Sequence, residues 1–371
     1  MILIYTVGIG SAGNHSDIAQ GLSNSIAKMG EEPRRVILVP SASEDSVATA
    51  ELIAEAHRES SEVTSAEARF HDVNDVVGCR EVFRLVLRSA GEDLSRNERL
   101  VVNPTSGTKQ MGIGAFLAAA DEGVGEVTFV GGPRNEGTVI TGSEKNHFFD
   151  ATQLHRERAV RHAESLFAAG APHAASLVLK AFKSNETVES LRKISQCMDH
   201  WQSLHFVEAA KLAAECKGLP PEVKTHLQSL RQAGPVSAIK STEMLASARR
   251  LQHWGRNTDA MLRFCQTLEM AARERLRDGY GETSEGGLRE ILSIMKGLQD
   301  PVAEEWFGKD CAQLKKLVTR RNEYIHDGRA VPAEEVKTLA AGLTPFFRKL
   351  LPKERPERIQ RLWPATLQEC I

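Results

Sequence analysis

Apolar and polar positions follow two different rhythms along this chain. Through residue 150, short apolar runs recur as ILIYTVG, RRVILVP, EARFHDV, RLVVN, EVTFVGG and GTVITG, with amphipathic stretches between the first five. Runs of this length separated by helical periodicity predict buried strands joined by crossover helices. The expected product is an α/β domain with a mainly parallel sheet and ligand loops at the carboxyl ends of its strands. The last two runs, joined by PRNEG, predict a hairpin at one sheet edge.

Beyond Asp150 the rhythm is helical throughout. Residues 151–245 carry Ala- and Leu-rich segments, and HAESLFAAGAPHAASLVL and HFVEAAKLAAECKGLP weakly echo each other as helix–turn–helix pairs without establishing a repeat. GLPPEV and QAGPVS are breaks. Residues 246–371 form a second helical block, opened by a helix expected from Thr258 to Asp278, with Asn257 or Thr258 as N-cap and Gly279 past its end. The expected organisation is therefore an α/β domain over 1–150, an all-α linker over 151–245 and an all-α domain over 246–371.

A length of 371 residues agrees with two or three domains, and 41% hydrophobic with 26% charged residues is a soluble globular composition. ILIYTVG is too short for a signal peptide or a membrane span and reads as a buried strand. Cysteines at 79, 197, 216, 265, 311 and 370 form no CxxC pair, so neither a disulfide framework nor a zinc site is expected, and a cytoplasmic protein with no membrane association fits best. Net charge is −2, but residues 246–371 hold 22 Lys+Arg against 18 Asp+Glu, leaving 25 against 31 for residues 1–245. The mildly basic end is the first place to look for a polyanionic substrate.

Two loops carry candidate binding chemistry. In NPTSGTKQMGIGAFLAAA, a strand runs into Thr105, Ser106, Gly107, Thr108 and Lys109 and then into an apolar helix, whose first N–H groups lack partners within it. Such a helix start suits a phosphate, and Lys109 can add a point charge. The segment is not a nucleotide-triphosphate P-loop, since it lacks the first glycine and the hydroxyl after lysine. Gly8, Gly10 and Gly13 spell GxGxxG directly after the first strand. A dinucleotide site also needs an acid at the end of the second strand, where this chain has Ser41-Ala42-Ser43. Either these glycines serve a tight turn, or the loops holding Gly8, Gly10, Ser11, Ser41 and Thr105 to Lys109 together bind a different nucleotide.

The third motif is RNEYIH, Arg321 to His326. Its helix places Leu314, Leu317, Val318 and Ile325 on one apolar stripe, and Arg321 falls inside that stripe. A charge there needs a buried partner such as Glu269, or else it points into a cleft or toward a second subunit. His326 lies in the last turn before Asp327-Gly328, where the helix C-terminus favours its protonated form. A structural arginine and a surface histidine would also account for the pattern.

Taken together, TVGIGS, NPTSGTKQM and RNEYIH resemble the CRISPR-associated ancillary ribonucleases of type III systems, which join a Rossmann-like CARF sensor domain to an all-α HEPN ribonuclease domain. The likeness spans nearly the whole chain. One departure is Ser106, at a position often occupied by glycine. The resemblance implies a homodimer whose paired sensor domains bind cyclic oligoadenylate as an allosteric activator, with no catalytic cofactor and no metal. It implies cleavage of single-stranded RNA by attack of the 2′-hydroxyl, leaving a 2′,3′-cyclic phosphate. Arg321 would stabilise the phosphoryl charge, His326 would transfer a proton and Asn322 would orient substrate. A sensor whose helical domain binds a partner or nucleic acid without cutting it is the alternative. A DNA-binding version lacks a compact helix-turn-helix, and an oxidoreductase lacks the acid after the second strand.

Overall fold

A computed structural model of the protein describes residues 1–8, 15–95, 98–135, 138–182, 185–367 and 369, without the side chains of Asn135, Thr138, Ile325 and His326. The chain divides into two compact units, Met1–Arg158 and Ala159–Ile371.

The first unit alternates β1 (Ile2–Val7), α1 (His15–Ala27), β2 (Arg35–Pro40), α2 (Glu44–Ala56), β3 (Glu62–Ser65), α3 (Val76–Glu92), β4 (Leu100–Asn103), α4 (Lys109–Asp121) and β5 (Glu126–Gly131). Two short strands, β6 (Arg134–Asn135) and β7 (Thr138–Val139), precede β8 (Lys145–Asp150). The main sheet runs β3-β2-β1-β4-β5-β8, parallel except for β8 against β5. β1 is central and covered on both faces, which is why its sequence is apolar without alternation. Ile2 and Ile4 pack with α3 and α4, while Leu3, Tyr5 and Val7 pack with α1 and α2.

Two sequence expectations are corrected here. EARFHDV is not the third strand; that strand is Glu62–Ser65, and Phe70 makes only an isolated parallel bridge to Ser41. β3 is an edge strand with half its residues exposed, so it carries no apolar run. GTVITG does not pair with β5 either. β6 and β7 pair with each other as a separate ribbon, and β8 takes the edge beside β5.

The second unit is helical. α5 (Thr152–Ala168) carries the chain into it, followed by α6 (Pro172–Leu179), α7 (Glu186–Gln202), α8 (Phe206–Glu215), α9 (Pro221–Gln232) and α10 (Ala238–His253). Then come α11 (Asn257–Tyr280), α12 (Leu288–Gly297), α13 (Pro301–Phe307), α14 (Ala312–Asp327), α15 (Ala333–Leu350) and α16 (Pro356–Gln360). Both breaks read from sequence fall at helix junctions: GLPPEV sets Pro221 at the start of α9, and QAGPVS separates α9 from α10. One apolar core gathers Phe167, Leu191, Trp201 and Leu227 with Leu367 from the chain's end, and a second gathers Phe264, Leu268, Leu292 and Phe347. α11 runs past Gly279 and ends at Gly281, whose left-handed φ of 71° terminates it. Its N-cap position is Arg256, not Asn257 or Thr258. Among the described residues, no helix is long and apolar enough to cross a membrane.

Candidate functional site

In the first unit, β1 lies between β2 and β4, so the chain direction of the crossovers reverses there. Open α/β sheets form their ligand crevice at this switch point, outside the strands' carboxyl ends. Gly8, Ser41, Gly107 and Thr108 line one cleft of about 530 Å³ at that end. Three loops that are far apart in sequence thus meet at one place.

The contacts among these loops give each small residue a definite task. A Cβ on Gly8 would lie 2.2 Å from the Cα of Gly107, so the loops after β1 and β4 touch backbone to backbone. Gly107 itself has φ +97°, a conformation that favours glycine. The Gly8 N–H donates to Ser106 Oγ at 3.2 Å, and the Thr6 hydroxyl donates to the Ser106 carbonyl at 2.6 Å. Thr108 caps α4 by accepting from the Met111 N–H at 3.2 Å, and its hydroxyl donates to the Val73 carbonyl at 2.7 Å. Thr105 Oγ1 accepts from the Val130 N–H at 2.8 Å, which ties the loop to β5. Around Ser41, its N–H donates to Ser46 Oγ, and the Ser46 hydroxyl donates to the carbonyl of Val7. Hydroxyls of Thr105 and Thr108 therefore hold the loop's shape.

Lys109 is exposed on the first turn of α4 and is not among the residues lining the cleft. With Thr108 serving the Met111 N–H, the N–H groups of Lys109 and Gln110 are those the helix geometry leaves free for an anion. Gly10 and Ser11 lie outside the described residues. The sequence reading missed His71, Phe70, Val73 and Met111 on the cleft wall. His71 and its neighbours were hidden inside EARFHDV, where a strand was expected.

In the second unit, α14 packs Leu314 and Leu317 into the core with Val318 partly buried beside them, three positions of the stripe read from sequence; the side chain of the fourth, Ile325, lies outside the described residues. Arg321 is half-buried on that helix. Its Nε and Nη2 donate to Asn322 Oδ1 at 3.1 and 2.8 Å. Among the described residues it forms no ion pair with a carboxylate, because Glu269 instead pairs with Arg273 at 2.8 Å. Arg321, Asn322, Glu269 and Cys265 line one open cleft of about 580 Å³, together with Arg289, Glu290 and Ser293 of α12. Burial pushes the Cys265 thiol up to about 11, partly offset by the nearby Arg321 charge. α14 ends at Gly328, with φ 63°, so the backbone of His326 sits in the last turn; its side chain is outside the described residues.

A half-buried guanidinium beside a cleft, held by an amide and uncompensated by a carboxylate, is available to bind an anionic group. No group of three or more His, Cys, Asp or Glu side chains able to hold a metal occurs among the described residues.

No protein-family sequence model matches the chain, and no curated protein is similar to it in sequence. Among solved structures, Enterococcus italicus Csm6 bound to cyclic hexa-2′-fluoro-hexa-dAMP is similar over 98% of this chain and 99% of that one, with a TM-score of 0.61 at 12% identity. At that identity the likeness establishes a shared fold from end to end.

Proposed function

We propose that the protein is a cyclic-oligoadenylate-activated endoribonuclease of type III CRISPR antiviral defence, acting in the cytoplasm as a homodimer on single-stranded RNA. The observation that carries this reading is the end-to-end likeness to a protein solved with a cyclic adenylate mimic. Arg321, which among the described residues has no carboxylate partner, supports it from the helix bearing RNEYIH. Residues 1–150 are read as the CARF sensor and 246–371 as the HEPN domain, joined by a helical linker over 151–245.

Two copies related by a two-fold axis suit a ring ligand, because each copy offers the same loops to each half of the ring. The close approach of Gly8 to Gly107 brings the loops after β1 and β4 backbone to backbone at the cleft. The N–H groups of Lys109 and Gln110 and the Lys109 charge then receive phosphate oxygens. Binding shifts the paired HEPN domains toward a competent arrangement, by no more than the ring's differential affinity for the two states.

At the HEPN cleft, the 2′-hydroxyl of the RNA gives its proton to solvent water as its oxygen attacks the adjacent phosphorus, and the bond from phosphorus to the 5′-oxygen breaks. Arg321 stabilises the charge gathering on the phosphoryl oxygens, and Asn322 fixes the guanidinium for that task. His326 gives a proton to the departing 5′-oxygen. The products are a 2′,3′-cyclic phosphate and a 5′-hydroxyl, with no metal required.

Arg321→Ala and His326→Ala should each lower cleavage by about two orders of magnitude or more while activator binding survives. Undiminished cleavage in both would move the active site elsewhere. A monomer in light scattering that cleaves at full rate would remove the paired arrangement.

A further inference from the structure

We infer that the C-terminal segment from Lys353 to Arg361 is a track for the phosphate backbone of single-stranded RNA, separate from the Arg321 cleft. This rests on the ribonuclease reading for its choice of polyanion. The segment, KERPERIQR, alternates acids and bases, yet the fold segregates them. Glu354 accepts a hydrogen bond from the Thr242 hydroxyl at 3.1 Å, and Glu357 is bound by Arg348 with Arg249 at 3.9 Å. Lys353, Arg355, Arg358 and Arg361 are all exposed and, among the described residues, none pairs with a carboxylate. Among the described residues, the Arg355 guanidinium donates only to the backbone carbonyls of Pro352 and Glu354. Arg273, Arg275 and Arg277 of the same unit are each matched to an acid, and other exposed cations without one among the described residues, such as Arg161, Lys211, Arg231 and Arg289, are scattered along the chain, whereas here four fall within nine residues.

The shape of this charge favours a strand over a point anion. Arg358 lies on α16 and Arg355 and Arg361 stand at its two caps, so the cations follow one another at three-residue spacing along about two helical turns. Lys353, Arg355 and Arg358 border a cleft of about 640 Å³ whose apolar wall includes Ile359 and Leu362. Across it α9 presents Thr225 and Ser229. Their hydroxyls donate to the carbonyls of Pro221 and Thr225, leaving oxygen lone pairs that can accept from ribose hydroxyls. Glu222 on the same side marks the limit of the basic strip. Cations for phosphates, an apolar wall for bases and acceptors for sugars together match single-stranded RNA better than an acidic peptide.

The test is binding of a mixed-sequence single-stranded RNA with its 2′-hydroxyls intact, without activator so that it is not cut, to the full-length protein and to a variant carrying Lys353→Gln, Arg355→Gln, Arg358→Gln and Arg361→Gln. Each phosphate contact contributes about 0.7 to the slope of log affinity against log salt for single strands, so four should lower that slope by about 2.8. Affinity at about 50 mM salt should fall more than tenfold. Arg256→Gln, which removes an exposed cation already paired with Asp259, should leave the slope unchanged. Equal affinity and slope in the fourfold variant overturns the proposal, as does a segment that binds polyglutamate in preference to RNA. Loss of slope in a protein that never cleaves RNA would keep this track and discard the ribonuclease reading. Unchanged slope in an active ribonuclease would do the reverse.

Discussion

Gly8→Ala isolates the contact on which the sensor cleft is built. The new Cβ would stand 2.2 Å from the Gly107 Cα, 1.2 Å short of the 3.4 Å at which ordinary contact begins. Its nearest neighbours are all backbone atoms of Gly107, so no rotamer change can relieve the overlap. The loops after β1 and β4 must part, and the bonds from Gly8 N–H to Ser106 Oγ and from Thr6 Oγ1 to the Ser106 carbonyl are the ones at risk. Overpacking costs about 1–3 kcal/mol, and two neutral hydrogen bonds add about 0.5–1.5 kcal/mol each, so the loss should be about 2–6 kcal/mol. At about 2–4 °C per kcal/mol, the melting transition of the α/β unit should fall by at least about 4 °C. Calorimetry should register weaker binding of cyclic oligoadenylate at the same time. Gly91→Ala is the matched control, because its Cβ would meet nothing within 4 Å. If Gly8→Ala melts with Gly91→Ala and binds the activator normally, the backbone approach of the two loops does not shape the cleft.

Lys109→Ala should raise the activator concentration for half-maximal cleavage about ten- to a hundredfold with an unchanged plateau, the cost of a lost charge-assisted contact. A titrated cleavage assay reads both numbers, and an unmoved midpoint would leave the α4 start without an anion. Thr108→Ala should behave differently, losing about 1 kcal/mol of stability with its cap and its tie to Val73, so weaker binding should come with a lower melting temperature. In the helical unit, burial raises the pKa of the Asp300 carboxyl, but hydrogen bonds from Tyr280, Arg275 and the Ala303 N–H outweigh it and leave the pKa lowered. A depressed folded pKa gives stability that is present above the ordinary carboxylate range and lost as pH falls through the folded value. Asp300→Ala should therefore cost about 3–5 kcal/mol at neutral pH and make the acid limb of the stability profile shallower, measured by denaturant titration across pH. A profile parallel to that of the unaltered protein would contradict it.

The fold was most legible where burial is continuous. β1, β2 and β4 are covered on both faces and read directly as apolar runs, whereas β3 and β8 are edge strands with exposed residues and mixed composition, and both were missed. The adjacent Phe148 and Phe149 break the alternation that would have marked β8. GxGxxG was visible, but the role of its first glycine was not, because that role is a contact with Gly107, almost a hundred residues on. The α14 stripe and the misfit of Arg321 within it were legible from periodicity alone. Which carboxylate it would meet was not, since the pairing of Glu269 with Arg273 one turn along α11 is decided by side-chain geometry. The charge of the C-terminal segment was countable in sequence, but only the fold separates its acids from its bases.

The most direct test of activated RNA cleavage is a single reaction series. The unaltered protein is mixed with labelled single-stranded RNA in excess chelator, with and without cyclic oligoadenylates of increasing ring size, and the fragment ends are identified by mass spectrometry. The expected result is cleavage that one ring size switches on, that chelator does not suppress, and that leaves 2′,3′-cyclic phosphate and 5′-hydroxyl ends. RNA left intact with every ring, or cut equally without one, would contradict it.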